Sequence, residues 1–443
     1  MKLTLEDKHR RIIAADGHLL VTGGPGSGKT TIALLKAQER SRSLKPGQEI
    51  LFLSFSRSAV RQILTRCRDI LRPAERRLIQ VKTYHLFCLE TLMAHGRLLC
   101  GRPVAFLYPG EERVQKSIFD GDWDAERLRL AADDGLYCFD LVASAVATLF
   151  EQCAAVRTLF ADKYPLVIVD EFQDTNNIQY AWLRMMAGPD CHVMIVGDDD
   201  QSIYGWRGSS PKFFMEFPKE FPSPSTTKVM LSDNFRSHQH IIDAAEHIVR
   251  AAPAISGKKA RASGPVQELL PVTVLDRNDD QLVASLIEHY NAGDSVLLLY
   301  RKGSERSKLP EALQQVINAD YALPPQDRRL KQLTYHSAKG LQADAVFLLG
   351  DCQHLTQSPY KNQVYQLAGL GKEGDLEAFD NAQKDEVLRL AYVAITRAVR
   401  HCYWFIDASG NDEANVPKAS ARIAGDKAFF EDRRGAVNLD AQL

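Results

Sequence analysis

The sequence predicts an α/β fold built from two parallel sheets. Short apolar runs rich in β-branched residues alternate with helical patterns along the 443 residues. Continuous apolar strands of this kind are typical of parallel sheets that helices cover on both faces. The runs fall into two series, so we predict two sheet domains. A glycine-rich string, GGPGSGKT at 23–30, closes the first run and adds a phosphate-binding pattern to the fold.

Nine apolar runs define the two series. The first series lies at 18–23, 50–55, 166–171 and 192–198, and the second at 227–232, 272–276, 295–300, 345–350 and 402–406. The Pro/Ser-rich stretch 221–227 is the predicted junction. We therefore predict a first domain at 1–225 and a second at 226–443. The remaining interpretations are a small helical insertion in the first domain at about 86–160, and loops at 256–264 and 358–375.

Composition excludes several classes of protein. With 45% hydrophobic and 25% charged residues, the chain has the make-up of a globular domain rather than a disordered or fibrous one. No apolar stretch reaches the roughly 18–20 residues that span a bilayer. The eight cysteines include no C-x-x-C pair, which is typical of free thiols in a reducing compartment. We expect a cytoplasmic protein with no membrane partner.

Charge is uneven although the net charge is only −1. Between Arg57 and Lys82 the sequence has seven arginines and one lysine but only two acidic residues. Such a run is usually a solvated helix face. It is also the pattern of a surface that binds phosphates. The sequence leaves both interpretations open.

The string GGPGSGKT fits the pattern G-x-x-x-x-G-K-[ST] and lies between a predicted strand and a predicted helix. Glycines allow backbone N–H groups to face phosphate oxygens, and the helix N-terminus adds the positive end of its dipole. Lys29 is expected to reach the β- and γ-phosphates, and the Thr30 hydroxyl to bind Mg²⁺. A plain glycine-rich turn is the alternative, which this context disfavours. The sequence predicts a nucleoside triphosphate site.

Hydrolysis needs a carboxylate for the metal and a second group for the attacking water. Asp170 and Glu171 directly follow the buried run 166–169, at the edge where an open α/β sheet binds its ligands. We assign Asp170 to Mg²⁺ and Glu171 to the water. An acidic strand end is also a common structural turn, so this assignment depends on the phosphate-binding loop upstream.

Six motifs occur in an order that resembles UvrD/Rep-type superfamily 1 DNA helicases. They are GGPGSGKT, DEFQDTNNIQ, GDDDQSIYGWRG, LSDNFRS, YHSAKGLQADAVFLLG and LRLAYVAITRA. The resemblance extends from about residue 4 to 406. It implies two RecA-like domains that bind ATP in the cleft between them, and translocation along single-stranded DNA, with 3′→5′ polarity.

The resemblance also implies roles for residues that bind nucleotide. Arg236 and Arg397 match arginines that reach the γ-phosphate, and Gln201 matches its sensor. The other nucleotide-binding positions are Gly26, Gly28, Thr31, Phe235, Lys339, Gly340, Gln342 and His9. Four of these depart from the family pattern: Phe235 replaces a tyrosine, Gln342 a glutamate, His9 a glutamine and Thr31 an arginine. The departures bear on the choice of nucleotide more than on hydrolysis.

Strand contacts are implied for a second group of residues, some of which would otherwise be read as core positions. They are Phe55, Tyr84, His85, Tyr204, Trp206, Arg207, Arg301 and His336. Three of them lie in the segment 198–207, only a few residues after Gln201. Extended chain spans at most about 17 Å from Gln201 to Trp206, so one loop can reach both nucleotide and strand. Asp198 and Asp199 are predicted to shape this loop rather than to bind a metal.

The sequence departs from the processive members of the family in one respect. Only 33 residues lie between Tyr300 and Thr334, too few for the usual second accessory insertion. This compact form resembles the helicase subunit of the Gabija antiphage system, which works with a nuclease. We expect an ATP-dependent translocase or helicase, as a motor subunit in defence or repair. A regulatory ATPase that senses nucleotide and DNA and controls a partner nuclease is the alternative, and a P-loop phosphotransferase is disfavoured.

Overall fold

The protein divides into two compact units. Residues 7–221, 225–250, 252, 259–263, 271–301, 303–352, 358–367, 374–406, 418–423 and 428–434 are described by the structure, a computed structural model. Unit 1 comprises Met1–Thr22, Lys29–Gly197 and Arg207–Met230. Unit 2 comprises Gly23–Gly28, Asp198–Trp206 and Leu231–Leu443. The glycine-rich loop and the loop that begins at Asp198 therefore group with the second half of the chain. The predicted limits 1–225 and 226–443 remain a prediction.

The described residues of the first half of the chain form twenty α-helices and β-strands. They are α1 (Asp7–Ala14), β1 (His18–Gly23), α2 (Lys29–Ser41), β2 (Ile50–Ser54), α3 (Arg57–Ile70), α4 (Pro73–Arg76), β3 (Ile79–Thr83), α5 (Tyr84–His95), α6 (Arg97–Cys100), β4 (Ala105–Leu107), α7 (Pro109–Ile118), α8 (Trp123–Arg129), β5 (Leu136–Cys138), α9 (Val142–Gln152), α10 (Ala154–Lys163), β6 (Leu166–Val169), α11 (Asn177–Met186), β7 (His192–Gly197), α12 (Lys212–Glu220) and β8 (Thr226–Leu231).

Six of these strands form the first sheet, in the order β3-β2-β6-β7-β1-β8. The pairings of β3 with β2, β2 with β6, β6 with β7 and β7 with β1 are parallel. Every residue of β2, β6 and β7 is buried, because helices cover both faces of the central strands. The parallel arrangement brings the carboxyl ends of β1 and β6 to one edge, where Lys29 and Asp170 follow.

The insertion between β3 and β6 is mainly helical, as predicted. Its helices α5, α9 and α10 pack with α11 around an aromatic cluster in which Phe87 stacks on Trp182 at 5.1 Å. The insertion also contains a two-stranded parallel sheet of β4 and β5, which the sequence did not predict. Strands of three residues are too short to produce a recognisable apolar run.

The second half of the chain contains thirteen further elements in its described residues. They are β9 (Asp233–Asn234), α13 (Gln239–Val249), β10 (Arg261–Ala262), β11 (Val272–Asp276), α14 (Asp279–Asn291), β12 (Val296–Tyr300), α15 (Glu311–Ala322), β13 (Leu330–Thr334), β14 (Ala343–Leu349), α16 (Pro359–Leu367), α17 (Ala378–Ile395), β15 (Ala398–Ile406) and β16 (Phe430–Asp432).

The second large sheet has the order β13-β12-β14-β15-β11-β16, and all its pairings are parallel. Helices α13 and α17 pack on one face, against a core that includes Trp404. The opposite face is covered by α14 and α15 around Phe347 and Phe405. The predicted fold class, an α/β protein with two parallel sheets and a small helical insertion in the first domain, is confirmed.

Three sequence predictions about elements are wrong. The run at 227–232 was placed in the second series, but β8 forms an edge of the first sheet. Strands β3 and β13 were missed, since each is a half-exposed edge strand without a continuous apolar run. The segment 358–375 was predicted as a loop, but α16 occupies its first part and buries Tyr365 against Phe379. Residues 222–224, 256–258 and 264 lie outside the described part of the chain, and residues 259–263 of the predicted loop include the two-residue strand β10.

Two further features agree with the composition. All eight cysteines are free thiols. Within the described ranges, no single helix is long and apolar enough to cross a membrane. Residues 139–152 and 154–163 meet that test only together, and a bend of 103° separates them.

Asp320 links three elements of the second unit through a carboxylate that is only 1% exposed. It accepts hydrogen bonds from Arg329 N at 2.9 Å, Leu330 N at 3.2 Å and Tyr290 Oη at 3.0 Å. Asp320→Ala leaves these donors without an acceptor, so we expect a loss of about 2–4 kcal/mol in unfolding free energy. Urea denaturation checks this, with exposed Asp327→Ala as the control. Equal midpoints for the two variants would contradict it.

Candidate nucleotide and nucleic-acid sites

The glycine-rich loop after β1 has backbone conformations that glycine adopts more easily than other residues. Gly26 and Gly28 have φ values of 75° and 81°, in the left-handed region that favours glycine. A Cβ atom on Gly26 would lie 2.6 Å from Arg236 Cβ and 2.8 Å from Asn234 Oδ1. The loop therefore tolerates no side chain at Gly26.

Asn234 holds this loop against the segment that carries Phe235 and Arg236. Its Nδ2 donates to Pro25 O at 2.8 Å, and its Oδ1 accepts from the backbone N–H groups of Arg236 and Ser237. Phe235 N donates to Gly26 O at 2.9 Å. The Phe235 ring remains 59% exposed. An aromatic face fixed beside a phosphate-binding loop and open to solvent is suited to stacking on a base.

Thr30 and Asp170 are brought together within unit 1. Thr30 Oγ1 donates to Asp170 Oδ2 at 2.9 Å, and Asp170 is 4% exposed. Burial, followed by the neighbouring charge of Glu171, raises the pKa of Asp170 to about 6, which Lys29 opposes. A hydroxyl and a buried carboxylate in contact are the donor set that suits Mg²⁺ with a nucleotide phosphate. The residues present therefore fit the cofactors that the sequence predicts.

Glu171 has an unusual backbone. Its φ of 53° is the only positive value at a non-glycine position among the described residues. A left-handed backbone conformation is unfavourable in free energy for any residue other than glycine. Such residues are found mostly in turns and at functional sites. Gln173 Nε2 donates to Glu171 Oε2, which orients the carboxylate. The turn thus presents Glu171 in a fixed position next to Asp170.

Gln201 is the centre of a buried network in unit 2. Its Nε2 donates to Asp198 Oδ2, and its Oε1 accepts from Arg397 Nη2 at 3.5 Å. Lys339 Nζ donates to the backbone oxygen of Gln201 at 2.9 Å. Tyr392 Oη donates to Asp198 Oδ2 at 3.4 Å. Three residues predicted from three separate motifs are therefore in direct contact.

Arg397 is almost completely buried, with 1% of its surface exposed. Its guanidinium also donates to Val393 O at 2.8 Å, Leu341 O at 3.2 Å and Thr396 Oγ1 at 3.1 Å. These bonds fix a charged group that would be costly to bury without partners. Arg397 is thus a preorganised cation adjacent to Gln201.

The three consecutive aspartates form a structural turn. Carboxylate oxygens of Asp198, Asp199 and Asp200 lie within 4.8 Å of one another, which is the spacing of a metal site. Asp198, however, caps the 3₁₀ turn by accepting from Asp200 N at 3.2 Å, and its second oxygen accepts from Gln201 and Tyr392. The arrangement favours the turn-shaping role that the sequence indicated.

The remaining predicted nucleotide-binding residues lie on three different elements. His9 is half-buried on α1, and Thr31 is half-buried in the first turn of α2. Gly340 has a φ of 85° with open space around it, and Gln342 is exposed just before β14. Their contact with a base or ribose stays a prediction.

Phe55 and Arg207, two of the residues predicted to contact DNA, lie close together in unit 1. The Arg207 guanidinium lies 5.8 Å from the centre of the Phe55 ring, and Arg207 is exposed. His85 stacks on Phe139 with ring centres 3.5 Å apart, and burial together with the charge of Arg57 lowers its pKa. An aromatic ring beside a cation is a suitable platform for a nucleotide.

Tyr84 occupies a different environment. It is 3% exposed, its ring packs edge-on against Trp182 at 5.7 Å, and its hydroxyl shares a hydrogen bond with Thr175 at 3.0 Å. Burial raises the pKa of this hydroxyl. These contacts favour a packing role for Tyr84 over the predicted strand contact.

In unit 2, Tyr204, which is predicted to contact DNA, lies against two other residues with predicted roles, His336 and Lys339. Its hydroxyl donates to His336 O at 3.5 Å, and Lys339 Nζ lies 5.3 Å from its ring centre. Burial, and then the charges of Arg301 and Lys339, lower the pKa of His336 to about 4. Trp206 belongs to a 3₁₀ turn, and its side chain lies outside the described part of the structure.

Sequence reasoning missed residues that hold these loops. Asn234, Tyr392 and Glu386 lay inside or beside the motifs, but no role was assigned to them. Glu386 is 9% exposed, its Oε2 accepts from Gly205 N at 3.1 Å, and burial raises its pKa. The position of Glu386 beside the apolar end of α17 could have indicated a buried carboxylate, and a buried charge requires a partner.

Comparison with known proteins agrees with the motifs. Residues 5–133 and 125–222 match the family model described as the UvrD/REP helicase N-terminal domain. Residues 305–405 match the UvrD-like helicase C-terminal domain. The two matches follow each other along the chain in the expected order.

Curated relatives include several helicases. The chain is 38% identical over 164 residues to DNA helicase II of Escherichia coli, covering 35% of this chain and 22% of that protein. It is 29% identical over 371 residues to DNA helicase II of Haemophilus influenzae, covering 70% and 50%. It is 27% identical over 289 residues to the putative ATP-dependent DNA helicase YjcD of Bacillus subtilis, covering 55% and 38%. The chain thus spans half or less of the length of these relatives.

The lowered pKa of His336 predicts sensitivity to acid. In the unfolded state His336 binds a proton below about pH 6.5, whereas in the folded state it binds one only near pH 4. The unfolded state therefore binds more protons between these two pH values, and the free energy of unfolding falls as the pH is lowered across this range. His336→Gln should remove about 1–3 kcal/mol of that loss. Thermal melting between pH 7.5 and 4.5 measures it, and the melting point at pH 7.5 gives the cost of the substitution itself. Parallel declines in variant and wild type would contradict the prediction.

Proposed function

Because the chain belongs to the UvrD/Rep family of superfamily 1 helicases, we propose that it is an ATP-dependent motor that moves along single-stranded DNA. The observation that carries the proposal is the Gln201 network. Gln201 contacts Arg397 and Lys339, and Tyr204 and Arg207 follow within six residues. A change at the amide of Gln201 is therefore passed through a short segment to groups suited to hold a strand.

In this proposal, the nucleotide end uses groups with distinct tasks. Lys29 and the loop amides would bind the phosphates, and Thr30 with Asp170 would hold Mg²⁺, which would neutralise part of the phosphate charge. Glu171, fixed by Gln173, accepts a proton from the attacking water. Arg236 and Arg397 stabilise the charge that develops during phosphoryl transfer.

The strand end uses stacking and charge rather than base recognition. Phe55 with Arg207, and Tyr204 with Lys339, offer aromatic surfaces beside cations. Stacking on each base is typically worth about 1–3 kcal/mol and is independent of sequence. We propose that the protein binds DNA without sequence preference and moves in the 3′→5′ direction, as its family resemblance implies.

The biological setting belongs to the same proposal. We propose a cytoplasmic motor subunit of a defence or repair complex, with a nuclease as its partner. Support comes from the compact sequence between Tyr300 and Thr334, since short accessory segments suit a motor that works with a partner. A regulatory ATPase that controls the nuclease without unwinding remains the alternative.

Two assays separate these alternatives. Hydrolysis of ATP is measured with and without a single-stranded oligonucleotide, and unwinding is measured on a gapped duplex with the protein alone. Stimulated hydrolysis with unwinding supports the helicase, and stimulated hydrolysis without unwinding supports the regulatory subunit. If single-stranded DNA gave no stimulation, the proposed function would be wrong.

Lys29→Ala and Arg397→Ala should each abolish turnover. Both remove a cation from the transferring phosphate, and the loss of such an arginine is typically worth about 10³–10⁵ in rate. Steady-state hydrolysis at saturating ATP and DNA measures the effect. Lys45→Ala, at an exposed position after α2, is the matched control. Turnover near the wild-type rate in either variant, with an unchanged melting point, would refute these roles.

Trp206→Ala should weaken coupling more than hydrolysis itself. Trp206 lies five residues after Gln201, so its loss should reduce stimulation by DNA while basal hydrolysis persists. The ratio of DNA-stimulated to basal turnover is the measurement. Equal stimulation in variant and wild type would count against the role of Trp206.

A further inference from the structure

Helix α3 carries a line of arginines along one exposed side. At about 100° per residue, Arg57, Arg61 and Arg68 fall within roughly 40° of one another around the helix axis. All three are exposed, and Leu64 on the same side is 42% exposed. The opposite side packs into unit 1 through Ile63 and Cys67. We call Arg57, Arg61 and Arg68 the α3 stripe; it is about 16 Å long at 1.5 Å per residue.

The α3 stripe is not neutralised by acidic side chains. In the part of the chain that the structure describes, neither Arg57, Arg61 nor Arg68 forms an ion pair with a carboxylate. Other surface arginines of unit 1 do, as in Arg129–Glu126 at 2.7 Å and Arg184–Glu220 at 3.1 Å. The exposed charge of α3 is therefore available to an outside partner.

The position of the charges within α3 is unfavourable for the isolated helix. Its first turn contains no acidic residue, and Arg57 is its first residue. A cation at a helix N-terminus opposes the helix dipole, and like charges at positions i and i+4, as in Arg57 and Arg61, repel each other. A bound anion would relieve both effects. This distinguishes the stripe from an ordinary solvated face, on which opposite charges alternate.

The stripe begins where the predicted strand platform lies. Phe55 is two residues before Arg57, and the Arg207 guanidinium lies over its ring. Arg57 is close enough to His85 to lower its pKa together with burial. The line of cations thus continues outward from a stacking platform instead of lying on an unrelated surface.

We propose that the α3 stripe is a track for nucleic-acid phosphates that extends the single-strand site beyond Phe55. This rests on the proposed function, since it assigns a path to the strand that the motor holds. Arg57 receives the phosphate next to the stacked base, and Arg61 and Arg68 contact successive phosphates further along the strand. Because the groups contact only phosphates, the track contributes affinity and salt dependence but no sequence preference.

The test compares two double substitutions of equal charge. Arg61→Gln/Arg68→Gln removes two stripe cations. Arg66→Gln/Arg113→Gln removes two exposed arginines outside the stripe: Arg66 lies roughly 140–160° away from Arg61 and Arg68 around α3, and Arg113 lies on α7. Binding of labelled dT and dA oligonucleotides is measured by fluorescence anisotropy over a range of NaCl concentrations, and thermal melting verifies folding.

The stripe variant should lower the slope of log affinity against log salt concentration by about 1.4, because each single-strand phosphate contact contributes about 0.7. Its affinity for dT and dA should fall by the same factor, whereas the control variant keeps the wild-type slope. Equal slopes for the two variants would overturn the track. Wild-type protein that binds no DNA would instead refute the proposed function.

Discussion

The hydrogen bonds of the buried Gln201 hold together the residues of unit 2 that are proposed to act on the nucleotide. Its side chain joins Asp198 to Arg397, and its backbone oxygen receives Lys339. A buried cation such as Arg397 is tolerated only when acceptors surround it, and the carbonyls of Val393 and Leu341 complete that set. Removal of the amide would take one hydrogen-bond donor from Asp198 and one acceptor from Arg397. The network is therefore both a stabilising element of the core and the proposed point at which the nucleotide acts.

A small set of hydrogen bonds also holds the glycine-rich loop in place. One side chain, Asn234, bonds to the carbonyl of Pro25 and to the backbone of Arg236 and Ser237. Gly26 permits this approach because a Cβ atom there would collide with Arg236. Phosphate loop, aromatic Phe235 and Arg236 are in this way fixed relative to one another before any ligand binds. Preorganisation of this kind reduces the reorganisation needed when charge develops on a phosphate.

Nucleic-acid contacts are built on a different principle. Arg207 and the three arginines of the α3 stripe are exposed, and Phe55 is half-buried. Tyr84, which the motif also suggested, lies in the core and holds Thr175. Buried residues here maintain geometry, and exposed ones supply attraction. The division suits the proposed motor function, since a DNA strand that must move is better held by phosphate contacts and stacking than by a closed pocket.

The sequence by itself determined the fold class, the central strands and the order of the motifs, because buried parallel strands and glycine-rich loops leave local patterns. It did not determine the edge strands β3 and β13, because these strands are half-exposed and lack a continuous apolar run. Nor did it determine that β8 completes the first sheet, because an apolar run does not show which sheet its strand joins. Only the tertiary structure decided that Gln201, Arg397 and Lys339 touch, and that Tyr84 is buried. These are contacts between residues distant in sequence, which depend on packing and leave no local pattern.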